Sequence, residues 1–157
     1  MERGPDSPLV AFLEGRGRDG AGRTIDDVLA MSDGDIEWHH DFIQWLFPLT
    51  ERSRAQPSAP VLTSDDVERV RLSAGAQTNL VRALERMTAF YRANDHWLRR
   101  GDHNHLRITR IIASTRLAGQ GEAAQTFHAF VLDRATGRPE AISPETRAFW
   151  LSAAGYD

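Results

Sequence analysis

Apolar positions along the 157-residue chain recur at intervals of three and four, the spacing that places side chains on one face of a helix. Ser7-Pro8 offers a cap and a first-turn proline for a short helix over Leu9 to Glu14 that stops at Gly15. Thr24 caps a helix over Ile25 to Met31, with Asp26 and Asp27 where carboxylates complement the helix dipole. After Ser32-Asp33-Gly34-Asp35, the pattern Ile36, His39/His40, Ile43, Phe47 predicts one helix ending before Pro48. Leu49 to Pro60 lacks periodicity and reads as a surface crossing, and Thr63 to Asp66 then opens a short exposed helix carrying Val67, Val70 and Arg71.

The longest pattern runs from Gln77 to Arg99, where Leu80, Leu84, Met87 and Tyr91 form a stripe widened by Val81, Phe90 and Trp97. Gly101 and Asp102 break it, and Asn104 is placed to cap a helix with Ile108, Ile111, Ile112 and Thr115 that reaches Gly119. Glu122 to Arg134 keeps the rhythm with Phe127, Phe130 and Val131, and Ser143-Pro144-Glu145 opens a last helix bearing Phe149, Trp150 and Leu151. No run alternates with period two. The expected fold is all-α: one domain over residues 1–157, a bundle of about six to eight helices with irregular connections.

Composition narrows this picture. Hydrophobic residues at 41% and charged residues at 26% suit a globular chain, and the net charge of −3 argues against a generally basic nucleic-acid binder. All 19 basic residues are arginines, so a Schiff-base or P-loop lysine is lacking, and an arginine-only basic set suggests a GC-rich bacterial genome. With no cysteine, disulfides, thiolate metal sites and cysteine nucleophiles are impossible. Met1 to Val10 carries acidic and proline residues where a signal peptide would be basic and then apolar, and no stretch approaches membrane-spanning length, so a cytoplasmic protein is expected.

Candidate chemistry is sparse. The stretch 15–23 holds four glycines and formally contains GxGxxG, yet it follows a short helical segment rather than a buried strand, and it reads as a flexible loop. Histidines stand at 39, 40, 96, 103, 105 and 128 without the HxxxH spacing that aims two imidazoles from one helix face. A metal site would need His40 and His103 to converge, with Asp41 or Asp102; the alternative is histidines that cap helices and make buried hydrogen bonds. No GxSxG is present, and Asp26-Asp27 and Asp65-Asp66 are accounted for by first helical turns. Arg107 and Arg110, three apart, can present guanidiniums on one side to an anion, with Arg16, Arg18 and Arg23 of the glycine loop as a conceivable addition. The segment Asp41 to Pro48 is apolar on almost every side with Gln44 inside, so that amide must find partners in the fold or in a ligand.

Two stretches carry a resemblance. His40-Asp41-Phe42-Ile43-Gln44-Trp45-Leu46-Phe47-Pro48-Leu49 and His103-Asn104-His105-Leu106-Arg107-Ile108-Thr109-Arg110-Ile111 closely resemble the two signature stretches of the opioid growth factor receptor conserved domain. Asp19, Gly22, Arg23 and residues 24–29 are similar to the lead-in of bacterial members. The resemblance implies an all-helical domain, here a bacterial, domain-only member. In animal members the domain is associated with binding the pentapeptide Met-enkephalin and with growth regulation at the nucleus. It directs attention to His40, Gln44, Trp45, His103, Asn104, Arg107 and Arg110 as candidate ligand-binding residues, none with a catalytic role.

The first expectation is therefore a non-enzymatic module for a peptide or small anionic ligand, with Trp45 and Phe47 in an apolar wall and Arg107 or Arg110 on an anionic group. No cofactor is implied, and nucleic acid is not the expected partner. The alternatives are a histidine-dependent, metal-binding enzyme using His40 and His103, and a nucleic-acid binder using the glycine-arginine loop.

Overall fold

A computed structural model describes residues 7–156, so Met1 to Asp6, part of the stretch read for a leader, lie outside the described residues. The described chain is all-α, without strands, and divides between Ala83 and Leu84 into two compact units. No helix among the described residues is long and apolar enough to cross a membrane.

The first unit contains α1 (Pro8–Leu13), α2 (Ile25–Leu29), α3 (Asp33–Trp38), α4 (Ile43–Leu46), α5 (Ser64–Leu72) and the beginning of α6 (Ala74–Ala93). Ser7 caps α1, Thr24 and Asp27 close a reciprocal capping box on α2, and Thr63 and Asp66 do the same on α5. At the end of α1, the Gly15 N–H donates to the Phe12 carbonyl and the Arg16 N–H to that of Ala11, with Gly15 at φ +84°, a left-handed stop that glycine adopts without strain. The chain then turns back across α1 so closely that a Cβ on Gly17 would lie 3.0 Å from the Cβ of Ala11 and 3.2 Å from backbone atoms of Ala11 and Phe12. Asn79 Nδ2 donates to the Leu13 carbonyl at 2.8 Å and Ser73 Oγ to Glu14 Oε2 at 2.8 Å, tying the end of α1 to α6 and to the residue before it.

The helix expected over 36–47 is two helices. His39 ends α3 with ψ 136°, and α4 restarts as a single turn. Phe42, Ile43, Trp45, Leu46 and Phe47 are all buried, and one straight helix would have pointed part of that set at solvent; the break re-aims the second half. This division raises the count to nine α-helices among the described residues. The helix expected to be exposed, α5, buries both Val67 and Val70.

The second unit takes the rest of α6, then α7 (Asn104–Leu117), α8 (Gly121–Arg134), a 3-10 turn (Pro139–Ala141) and α9 (Pro144–Ala153). Here α7 packs against both α8 and α9, burying Ile108, Ile111 and Ile112 with Phe127, Val131 and Trp150. The long helix ends at Ala93, six residues before the expected Arg99. Arg134 donates to the carbonyls of Tyr91 at 3.2 Å and Asn94 at 3.1 Å, and Trp97 Nε1 to that of Asn94 at 2.8 Å, so tertiary donors take over the last carbonyls and Trp97 folds inward. Of Phe149, Trp150 and Leu151 only Trp150 is buried; Phe149 is 63% exposed.

Gly17→Ala is expected to destabilise the protein by about 1–3 kcal/mol through overpacking against α1. Gly121→Ala, where an added Cβ meets nothing within 4 Å, is expected to be neutral or to stabilise by about 0.4–1 kcal/mol. Urea unfolding midpoints of the two variants check the contrast; equal shifts would contradict it.

Candidate functional site

Two groups of predicted residues lie on separate units. His40, Gln44 and Trp45 belong to the first, and His103, Asn104, Arg107 and Arg110 to the second.

In the first unit the glycine-arginine loop is a closed turn. Asp19, whose side chain is fully buried, accepts from the backbone N–H of Ala21 at 3.0 Å and of Arg23 at 2.9 Å, and its other oxygen accepts from Arg23 Nε at 2.7 Å. Arg23 reaches on to Asp41 at 2.9 Å. Burial opposes the Arg23 charge, but Asp41 and Asp19 together raise its pKa; the Asp41 carboxyl, also penalised by burial, is held below its ordinary range by Arg23. Arg16 pairs with Glu14 at 2.7 Å, and Arg18 donates to the Gly22 carbonyl at 2.9 Å. The loop arginines are thus occupied within the loop and its neighbours, and the loop is ordered by its buried aspartate where flexibility was expected. Its Gly20 passes the indole of Trp45, so that an added Cβ would meet Cζ2 at 3.9 Å, while Phe12 packs edge-on against the same ring at a centroid distance of 5.5 Å.

Gln44, on α4 beside Trp45, is 5% exposed, and its Oε1 has no hydrogen-bond partner among the described residues. A buried acceptor left unpaired costs about 1–3 kcal/mol. His40 follows α3, is exposed, and engages other groups of the chain.

In the second unit Asn104 is the centre of a buried network rather than a helix cap. The acceptor at the entry of the helix is Asp102, one residue before the cap position: its Oδ1 takes the backbone N–H and the side-chain Nδ2 of Asn104, both at 2.9 Å, and its Oδ2 takes Arg99 Nε at 3.0 Å. Asn104 Oδ1 accepts from the Tyr91 hydroxyl at 3.1 Å. Burial raises the Asp102 pKa, but the two Asn104 bonds, then Arg99 and His103, outweigh it and lower it. His103 lies 3.9 Å from Asp102 with a partly exposed ring. His105 bridges Trp97 and Trp150: its ring Nε2 meets the Trp97 carbonyl at 2.7 Å and its own carbonyl accepts from Trp150 Nε1 at 3.1 Å.

Arg107 is 5% exposed and Arg110 is half-buried, its pKa lowered by desolvation; both engage other groups of the chain. Among the described residues no three His, Asp or Glu side chains form a group that could hold a metal ion. The feature missed by sequence is a set of arginines in the second unit, Arg99, Arg100 and Arg138, lining an open depression with Leu98, Glu140 and Ala141. The Arg99-Arg100 doublet before Gly101 was its one local signal.

Residues 20–96 match the family described as the opioid growth factor receptor conserved region. The opioid growth factor receptor of Rattus norvegicus is 36% identical over 114 residues, covering 59% of this chain and 20% of the receptor. The receptor of Homo sapiens is 38% identical over 97 residues, 50% of the chain and 14% of the receptor. The opioid growth factor receptor-like protein 1 of Mus musculus is 30% identical over 132 residues, 71% of the chain and 28% of that protein. The chain spans 20% or less of the length of these two receptors. These matches support the family; the family match covers the stretch around Gln44 and ends before His103. No solved structure matches.

Because the folded pKa of Asp102 lies below the unfolded value near about 3.9, its contribution is fully present above that value and is lost as the pH falls through the folded pKa. Asp102→Asn is therefore expected to lower the melting temperature at pH 7 and to flatten the loss of stability below about pH 4. Melting curves from pH 7 to 2 check both effects; an unchanged acid limb would show that the Asp102 charge contributes nothing.

Proposed function

We propose that this chain, whose matches support the opioid growth factor receptor family, is a non-enzymatic ligand-binding module that uses Gln44 and Trp45 of the first unit. The observation that carries the reading is the orphaned Oε1 of Gln44. In a buried setting an unpaired acceptor is retained at a cost, and a donor brought by a ligand, such as a peptide N–H, offsets it. Trp45, 8% exposed between Phe12 and the Gly20 turn, adds a rigid aromatic surface beside it. The relatives are named as receptors for an opioid growth factor, and this supports a peptide as the ligand class. A bacterial origin, suggested by the all-arginine basic set, and a cytoplasmic location are part of the same proposal.

Gln44→Leu separates the readings. A ligand-facing amide predicts a free protein as stable as the parent or more so, by about 1 kcal/mol, and loss of Met-enkephalin binding in a tryptophan-fluorescence titration. An amide that serves the fold predicts a lower melting temperature with binding unchanged, and that result would overturn the proposal. Arg107→Ala and Arg110→Ala test the other expected contacts. Lost affinity at parental stability assigns them to the ligand, whereas lost stability at parental affinity assigns them to the fold, as the burial of Arg107 favours.

A further inference from the structure

The second unit carries a feature that the Gln44 reading does not use. The segment between α6 and α7 meets the segment between α8 and α9, and arginines join them. Arg100 Nε donates to the Glu140 carbonyl at 3.2 Å and Arg138 to the Leu98 carbonyl at 3.5 Å. Arg147, at the start of α9, donates to the Pro139 carbonyl at 3.0 Å. The two segments flank an open depression of about 500 Å³ lined by Leu98, Arg99, Arg100, Arg138, Glu140 and Ala141. Leu98 and Ala141 are buried and form an apolar floor; the three arginines are exposed at the rim.

We propose that this depression is a binding site for a small phosphate monoester. A backbone carbonyl orients a guanidinium while leaving its charge uncompensated and most of its five N–H donors available, which is a preorganised fork for an oxyanion. Arg100 has no carboxylate within ion-pair distance among the described residues, and Arg138 makes one solvent-exposed ion pair, with Asp95 at 3.8 Å. Arg99 shares its charge with Asp102 at 3.0 Å. The surroundings agree: residues 84–157 hold ten arginines against eight Asp and Glu, whereas residues 1–83 hold nine against fourteen. The volume falls within the range of small-molecule sites, on the order of 300–1,000 Å³.

Glu140 sets the remainder of the ligand. Its carboxylate on the same rim repels a second anionic group and accepts from a hydroxyl or ammonium, so one phosphate with a donor nearby fits, and a polyanion such as a nucleic acid does not.

Isothermal titration calorimetry of the full chain at low ionic strength tests this with two probes, inorganic phosphate and phosphoethanolamine. Both are expected to bind, the ester more tightly. Arg100→Gln and Arg138→Gln are each expected to weaken both probes about tenfold, and Arg100→Lys, which keeps the charge and loses the fork, to weaken them less. Arg52→Gln, an equal charge change at an exposed position of the first unit, is expected to change neither. Glu140→Gln is expected to tighten inorganic phosphate and to abolish the advantage of the ester. The site is refuted by no saturable heat for either probe up to about 10 mM, or by Arg52→Gln weakening binding as much as Arg100→Gln. Inorganic phosphate binding as tightly as the ester overturns the ester assignment. Circular dichroism of each variant confirms the fold, and none of these outcomes depends on Gln44.

Discussion

Asp102 brings a carboxylate with no exposed side-chain surface to the entry of α7, and the groups that satisfy it decide where that helix starts and what packs over it. A charge in that position is tolerable only when its lone pairs are filled, and they are, by the backbone and amide of Asn104 and by Arg99. The same asparagine receives the Tyr91 hydroxyl, so the end of α6 and the beginning of α7 are held to one another by polar groups inside an apolar core. The next residue, His105, links Trp97 to Trp150, which brings α9 into the same arrangement.

The first unit uses the same device at a different place. Asp19 gathers two backbone N–H groups and Arg23, and Arg23 extends the tie to Asp41 just before α4. In both units a buried aspartate closes an irregular segment, and an arginine carries the connection outward. The helices supply the apolar faces, while the aspartates determine the path of the chain between them. This matters for the candidate residues, because Trp45 stands under the turn that Asp19 shapes and Arg99 stands on the segment that Asp102 shapes.

What could be read in advance follows the range of the forces involved. Caps act within four residues, so Ser7, Thr24, Thr63 and Ser143 announced their helices, and periodicity announced the all-α class. The break at His39 was hidden because Ile36, Ile43 and Phe47 keep a helical spacing across it, while residues 42–47 are apolar on nearly every side, a pattern that names burial without naming direction. The end of α6 was hidden because Arg134, about 40 residues onward, takes the carbonyls that another helical turn would have used. Asn104 was read as a cap, but it is the first residue of α7, and its own N–H is taken by the carboxylate two residues earlier. The unsatisfied position of Gln44 was anticipated as a question by an amide among aromatics, and its buried Oε1 has no hydrogen-bond partner among the described residues. Arg100 and Arg138 were not anticipated as a pair, since only the fold unites segments so far apart in the chain.

The closed turn at residues 15–23 has a practical side. Four glycines in a row of polar residues look like the natural point for an epitope, a fluorophore or a split in the chain, since small polar loops usually accept such grafts. Here that choice would cut through the hydrogen bonds of a buried aspartate and pry a backbone away from α1, where Gly17 leaves no room for a methyl group. The irregular crossing at residues 50–60, exposed over much of its length, is the better point of attachment for anyone labelling or permuting the chain.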